Sequence, residues 1–213
     1  MADEDDRDVD VRDAERTKFF TDAVVAIAMT LLILPLIESV AEAGRDLSTS
    51  AFLHEHRDQL LTFVISFLVI AQFWVNHERM FDRVEYCSPR LRLLNVAWML
   101  TIVFLPVPTA MSGAMRTDSL QLVIYIGTML ASSLVMAVMN VLVRADRRLT
   151  GRHQPPTLSS LANSIATPVM FALALVLALV VPGLDYSALY ILLFTFVLQR
   201  TIGRLLLLRG ASG

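Results

Sequence analysis

The sequence predicts an all-α integral membrane protein with six transmembrane helices, and three observations lead there. Apolar residues make up 55% of the 213 positions and gather into six runs: Phe19–Ile37, Leu60–Met80, Leu91–Met111, Leu120–Val143, Leu158–Val181 and Tyr186–Leu208. Crossing about 30 Å of hydrocarbon at about 1.5 Å per residue takes about 20 residues, the length of each run. Arg and Lys crowd into alternate connections. Those connections reach at most about 22 residues, too short to build a soluble core.

The chain opens on Asp3, Glu4, Asp5, Asp6, Asp8, Asp10, Asp13 and Glu15. Such a density of like charge predicts a solvated, disordered tail over residues 1–15. Because an acidic rather than basic region precedes the first apolar run, a cleaved signal peptide is not expected, and the run is kept as helix one.

Helix one carries an acid, Asp22. A carboxylate at the centre of a membrane helix costs about 2.5–3.5 kcal/mol on insertion scales, and less near an end. Asp22 therefore calls for a partner. At about 100° per residue, Leu31, Leu34 and Thr30 fall within about 60° of Ile27, whereas Asp22 lies about 140° away. Helix one thus has an apolar stripe on one side and its acid on another. Periodicity alone lets the stripe pack on a neighbour or face lipid.

The first connection holds Glu38, Glu42, Asp46, Glu55 and Asp58, an acidic rim that would attract cations. His54-Glu55-His56 lacks the i, i+4 histidine pair of a zinc helix and reads as a surface loop, so no metal or cofactor is expected. Helix two ends Gln72-Phe73-Trp74-Val75-Asn76-His77. Running back toward the start of helix one, it brings His77 to the depth of Asp22. An Asp22–His77 contact is the expectation, with Lys18, one turn before Asp22, as the competing partner. Cys87, the single cysteine, lies in the next connection and reads as a structural thiol. Pro106 and Pro108 are expected to kink helix three near its end, and Pro168 to interrupt helix five. Helices four and six carry no such mark.

With six spans, the N-terminal tail, the two-three and four-five connections and the C-terminal tail share a side. That side holds 15 of the 18 Lys and Arg; Arg45, Arg57 and Arg116 make up the rest. The positive-inside rule then puts both termini in the cytoplasm of a multi-pass cell-membrane protein. The expected organisation is the acidic tail 1–15, one six-helix domain over 16–209 and a short tail at 210–213. No nucleotide-binding glycine pattern, nucleophile elbow or protease motif appears, so no enzyme is expected.

From Arg16 through Phe20, Thr21 and Asp22 the chain resembles the bacterial TMEM175-type potassium channels, identified by Arg-x-x-x-Phe-Ser-Asp at the start of helix one. Thr21 keeps the hydroxyl of the family's serine. The resemblance continues through Ala23-Val24, Ala26-Ile27-Ala28, Thr30-Leu31-Leu32 and Leu34, and through Phe73, Trp74 and His77 on helix two. It implies a homotetramer whose four first helices line a central pore. It further implies a constriction of stacked Ile27, Leu31 and Leu34 with Thr30 beside them, and a structural network of Arg16, Phe20, Thr21, Asp22, Trp74 and His77.

No Thr-Val-Gly-Tyr-Gly segment is present, so the carbonyl filter loop of ordinary potassium channels is excluded. The implied activity is potassium permeation with modest preference over sodium, without cofactor, nucleic acid or protein partner beyond the lipid and the other subunits. A proton-coupled secondary transporter working through Asp22 and His77 is the alternative. Transporters of that kind place their site at midplane between internal repeats, and no repeat is legible here.

Overall fold

The computed structural model describes residues 2–44, 47–151, 153, 154, 156, 158–181 and 187, with side chains from residue 13 and, in the last helix, from residue 161. In chain order the helices are α1 (Ala2–Leu31), α2 (Leu34–Ala43), α3 (Thr49–Glu55), α4 (Arg57–Phe81), α5 (Pro89–Phe104), α6 (Pro106–Ala114), α7 (Ser119–Ala145), α8 (Arg147–Thr150) and α9 (Leu158–Val180). Five stretches among the described residues are long and apolar enough to cross a membrane: Asp13–Ala43, Arg57–Phe81, Pro89–Ala114, Ser119–Ala145 and Leu161–Val180. These coincide with the first five predicted runs. The sixth run and the tail at 210–213 fall outside the described residues, apart from residue 187.

Helix starts follow local chemistry. Ser88 accepts from the Leu91 N–H (3.2 Å) with Pro89 in the first turn of α5, and Asp118 accepts from the Gln121 N–H (2.8 Å) at the start of α7. Both are side-chain caps for the unpaired amides of a first turn.

Three features depart from the expectations. The backbone of α1 begins at Ala2, so the acidic segment expected to be disordered is helical. Second, the first span is broken between Leu31 and Leu34, with Pro35 in the first turn of α2. Third, α9 runs through Pro168 without interruption; a single proline removes one bond from a ladder that its neighbours maintain. Helix three does break as expected, at Leu105 between α5 and α6.

The core centres on α7, which packs on α9 and α5, while α1 packs on α5 and α4, and α4 on α6. Half of the apolar window of α7 is buried within the subunit, against 22% of that in the first span. Trp98, Tyr125, Ile126, Met129, Ile70 and Leu105 are among the buried side chains. In the half of the bundle away from the Asp22 end, Thr109 donates to Ser66 (2.9 Å), whose hydroxyl is 2.7 Å from that of Tyr125. This cluster pins the break of helix three against α4 and α7.

The basic connections gather on one side. Asp13 of α1 pairs with Arg92 at 3.5 Å, Lys18 pairs with Asp82 after α4, and the Glu85 N–H donates to the Leu149 carbonyl at 2.8 Å. Residues 13–18, 82–92 and 147–150 therefore lie at the same end of the bundle, as the arginine alternation requires.

Candidate pore helix and its anchoring network

Helix one presents two unlike faces, and the buried one is held by polar bonds. Thr21 is fully buried; its hydroxyl donates to the Thr17 carbonyl (2.8 Å) and accepts from the Asn95 amide nitrogen (2.7 Å). The Asn95 oxygen lies 2.7 Å from His77 Nε2. Since that oxygen can only accept, Nε2 is the protonated nitrogen of His77, an assignment made from the network. One asparagine on α5 thereby ties α1 to α4.

His77 is fully buried between two aromatic rings, Trp98 at 4.4 Å and 13° and Phe81 at 4.4 Å and 24°. Near-parallel stacking on both sides fixes the plane of the imidazole and aims Nε2 at Asn95.

Asp22 takes a different partner from the one expected: its Oδ1 accepts from Trp74 Nε1 at 2.8 Å. Trp74 and His77 stand three residues apart on α4, about 60° around the helix. The indole reaches the carboxylate while the imidazole turns to α5. Lys18, the other expected partner, reaches along α4 to Asp82 and lies 4.0 Å from Glu78.

Four of the six predicted network residues, Thr21, Asp22, Trp74 and His77, are therefore brought together, but through two separate bonds to α4 and with Asn95 as an unpredicted member. Asn95 was legible as a polar residue within an apolar run, which in a membrane segment is a signal in itself. Arg16 and Phe20 stand outside the network. The Arg16 side chain is 83% exposed and lies 3.9 Å from Asp13, and Phe20 is exposed. With Phe19, Arg92, Val96 and Met99 they line a groove of about 620 Å³ between α1 and α5.

The opposite face of helix one is apolar and uncovered. Ile27 is 60% exposed, Leu34 46% and Leu31 38%, and Thr30 is also exposed, its hydroxyl donating to the Ile27 carbonyl (2.7 Å). Val25, Ala28 and Leu32 between them are buried. The predicted stripe is thus a real surface of the subunit, although Leu34 belongs to α2, beyond the break, and its direction does not follow from a straight helix. Among the described residues no group of three or more His, Cys, Asp or Glu is arranged to hold a metal ion. His54 and Glu55 are exposed on α3.

Comparison with known proteins meets the same segment. Residues 16–106 match the family described as TMEM175, endosomal/lysosomal potassium channel TMEM175. The chain is 35% identical over 101 residues to a potassium channel of Streptomyces collinus, covering 47% of this chain and 48% of that one. It is 25% identical over 127 residues to the endosomal/lysosomal proton channel TMEM175 of Danio rerio, covering 59% of this chain and 24% of that one. The chain thus spans about half and about a quarter of the length of these two relatives. In fold it is similar to the crystal structure of a lysosomal potassium-selective channel TMEM175 homolog from Chamaesiphon minutus. The TM-score is 0.70 at 24% identity, over 88% of this chain and 98% of that one.

Proposed function

We propose that this chain, which carries the TMEM175 pattern over residues 16–106, is one subunit of a potassium-permeable cation channel. The observation that carries the reading is the two-faced first helix: its Thr21 and Asp22 are bonded into its own subunit, and Ile27, Thr30, Leu31 and Leu34 are left uncovered. An apolar membrane face needs no lining partner if it meets lipid. In the same helix, however, the backbone is broken, and broken backbone is tolerated at membrane depth only against protein or water.

Four such helices around an axis enclose a pore that one six-helix subunit does not form. Ile27, Leu31 and Leu34 then form the constriction, with Thr30 beside them. An apolar ring conducts when it is wide enough to stay wet and closes by dewetting when narrowed. Potassium is preferred over sodium because its hydration shell is distorted at lower cost, and the preference is modest. Thr21, Asp22, Trp74, His77 and Asn95 hold the helix at its angle and act as positioning residues; no catalytic step is assigned. The 15-to-3 distribution of Lys and Arg supports cytoplasmic termini in the cell membrane.

Purified protein in planar bilayers under a potassium gradient tests the function. Unitary currents reversing toward the potassium equilibrium potential are the expected result. Slow, saturating flux without unitary steps would replace the channel with a carrier. Mass measurement of the same sample is expected to give four subunits.

A further inference from the structure

Arg16 and Phe20 stand outside the anchoring network, and the geometry of α1 says where they stand instead. The helix is continuous from Ala2 to Leu31, so angles carry along it without interruption. Phe20 precedes Ile27 by seven residues and Arg16 by eleven, which at about 100° per residue puts them about 20° to either side of Ile27. Exposure agrees: Phe20 is 63% exposed, Ile27 60% and the Arg16 side chain 83%, and Ala23 between them is exposed as well. Ala14, Thr21, Val25 and Ala28, the buried residues of the same helix, lie about 100–160° from Ile27. One uncovered face therefore runs about 22 Å along the axis, from Arg16 through Phe20 and Ile27 to Leu31.

The chemistry of this face changes along its length. Phe20 lies about 10 Å from Ile27 and Arg16 about 16 Å, toward the end of the bundle that carries the basic connections. Asp13, the carboxylate beside Arg16 at 3.9 Å, is also paired with Arg92 at 3.5 Å, so one carboxylate serves two guanidiniums. Positive charge is left over on the uncovered face.

We infer that Arg16 and Phe20 face the common axis of the assembled subunits, Phe20 as a second apolar ring and Arg16 as a ring of positive charge at the cytoplasmic mouth that hinders cations entering from that side. This rests on the channel reading above. Fixed charge at a pore mouth sets the local concentration of the permeant ion, and salt screens it. Whatever the other charges at this end contribute, losing one guanidinium from every subunit makes the mouth more attractive to a cation. The effect is directional, because cations arriving from the opposite side meet the apolar constriction before they meet Arg16.

Arg16→Gln removes the charge and Arg16→Lys keeps it. In excised patches under symmetric potassium at about 0.1 M, where the Debye length is about 10 Å, the ratio of outward to inward current at equal and opposite voltages is expected to rise on the order of twofold in Arg16→Gln. Arg16→Lys is expected to match wild type, and at about 1 M salt, where the Debye length is about 3 Å, the three proteins are expected to coincide. No shift in Arg16→Gln, or an equal shift in Arg16→Lys, overturns the inference. A second measurement needs no current: spin labels at Arg16→Cys and, in a separate protein, at Asp82→Cys report the spacing between subunits in lipid bilayers by double electron–electron resonance, with Cys87 buried and unlabelled. Asp82 is held by Lys18, which lies about 180° from Ile27, and so marks the far side of α1. Shorter spacings at Arg16 than at Asp82 are expected; equal or longer ones, or none between subunits, overturn the inference. Absence of any current in wild type ends the channel reading instead, and the spacings then decide alone whether Arg16 and Phe20 face the common axis.

Discussion

Asn95→Leu probes the bond that joins three helices around the base of helix one. The substitution removes two hydrogen bonds, to Thr21 and to His77, each contributing about 1 kcal/mol net in water and about 0.6 kcal/mol in membrane proteins. It also strands the His77 Nε2–H, which is fully buried between Trp98 and Phe81, and an unpaired buried donor costs about 1–3 kcal/mol. The expected loss is about 2–4 kcal/mol. Thr21→Val leaves His77 paired but removes the acceptor of the buried Asn95 amide N–H, so it is expected to cost about 1–3 kcal/mol. Steric-trapping measurements of unfolding in lipid bicelles resolve differences of this size. If Asn95→Leu fell within about 0.5 kcal/mol of wild type, the usual range of an inert surface change, the network would not be what anchors the helix.

Other consequences are independent of that network. Ile27→Ala removes apolar bulk from the proposed constriction and is expected to raise unitary conductance and weaken discrimination between potassium and sodium; unchanged currents would rule Ile27 out of the proposed pore. Gly151 has φ of +51°, and a Cβ there would lie 1.9 Å from a Glu85 carboxylate oxygen. Gly151→Ala is therefore expected to destabilise the connection holding Glu85 to Leu149 by about 1 kcal/mol or more, seen as faster amide exchange at Glu85. A cysteine at Ser48 is expected to react with an impermeant reagent outside the cell and one at Asp6 to be protected, the reverse pattern contradicting cytoplasmic termini.

Long apolar runs and alternating arginines were enough to read the first five spans from the sequence, because both signals sum over about twenty residues. Point features were harder. Pro35 went unread as a break because leucines and isoleucines continue on both sides of it, so hydropathy does not change where the hydrogen bonding does. Matching Asp22 to His77 by depth was sound as far as it went, but depth does not set azimuth. A rotation of about 60° on α4 gives the acid to Trp74 and the imidazole to Asn95. The exposed stripe of Ile27 and Leu31 was legible because it needs only periodicity within α1. Leu34 lies past the break, where a straight-helix angle no longer applies.

The most direct test of the account places a thiol on the exposed face of helix one and asks whether ions passing through the protein share its space. In Ile27→Cys channels, silver ions or a small methanethiosulfonate cation added from the aqueous side are expected to block the current, faster when the channel is open. Leu100→Cys, on the exposed face of α5 at 70% exposure, is expected to leave the current unchanged. Block at Leu100 with none at Ile27, in channels of normal subunit number, would contradict the assignment of helix one to the ion path.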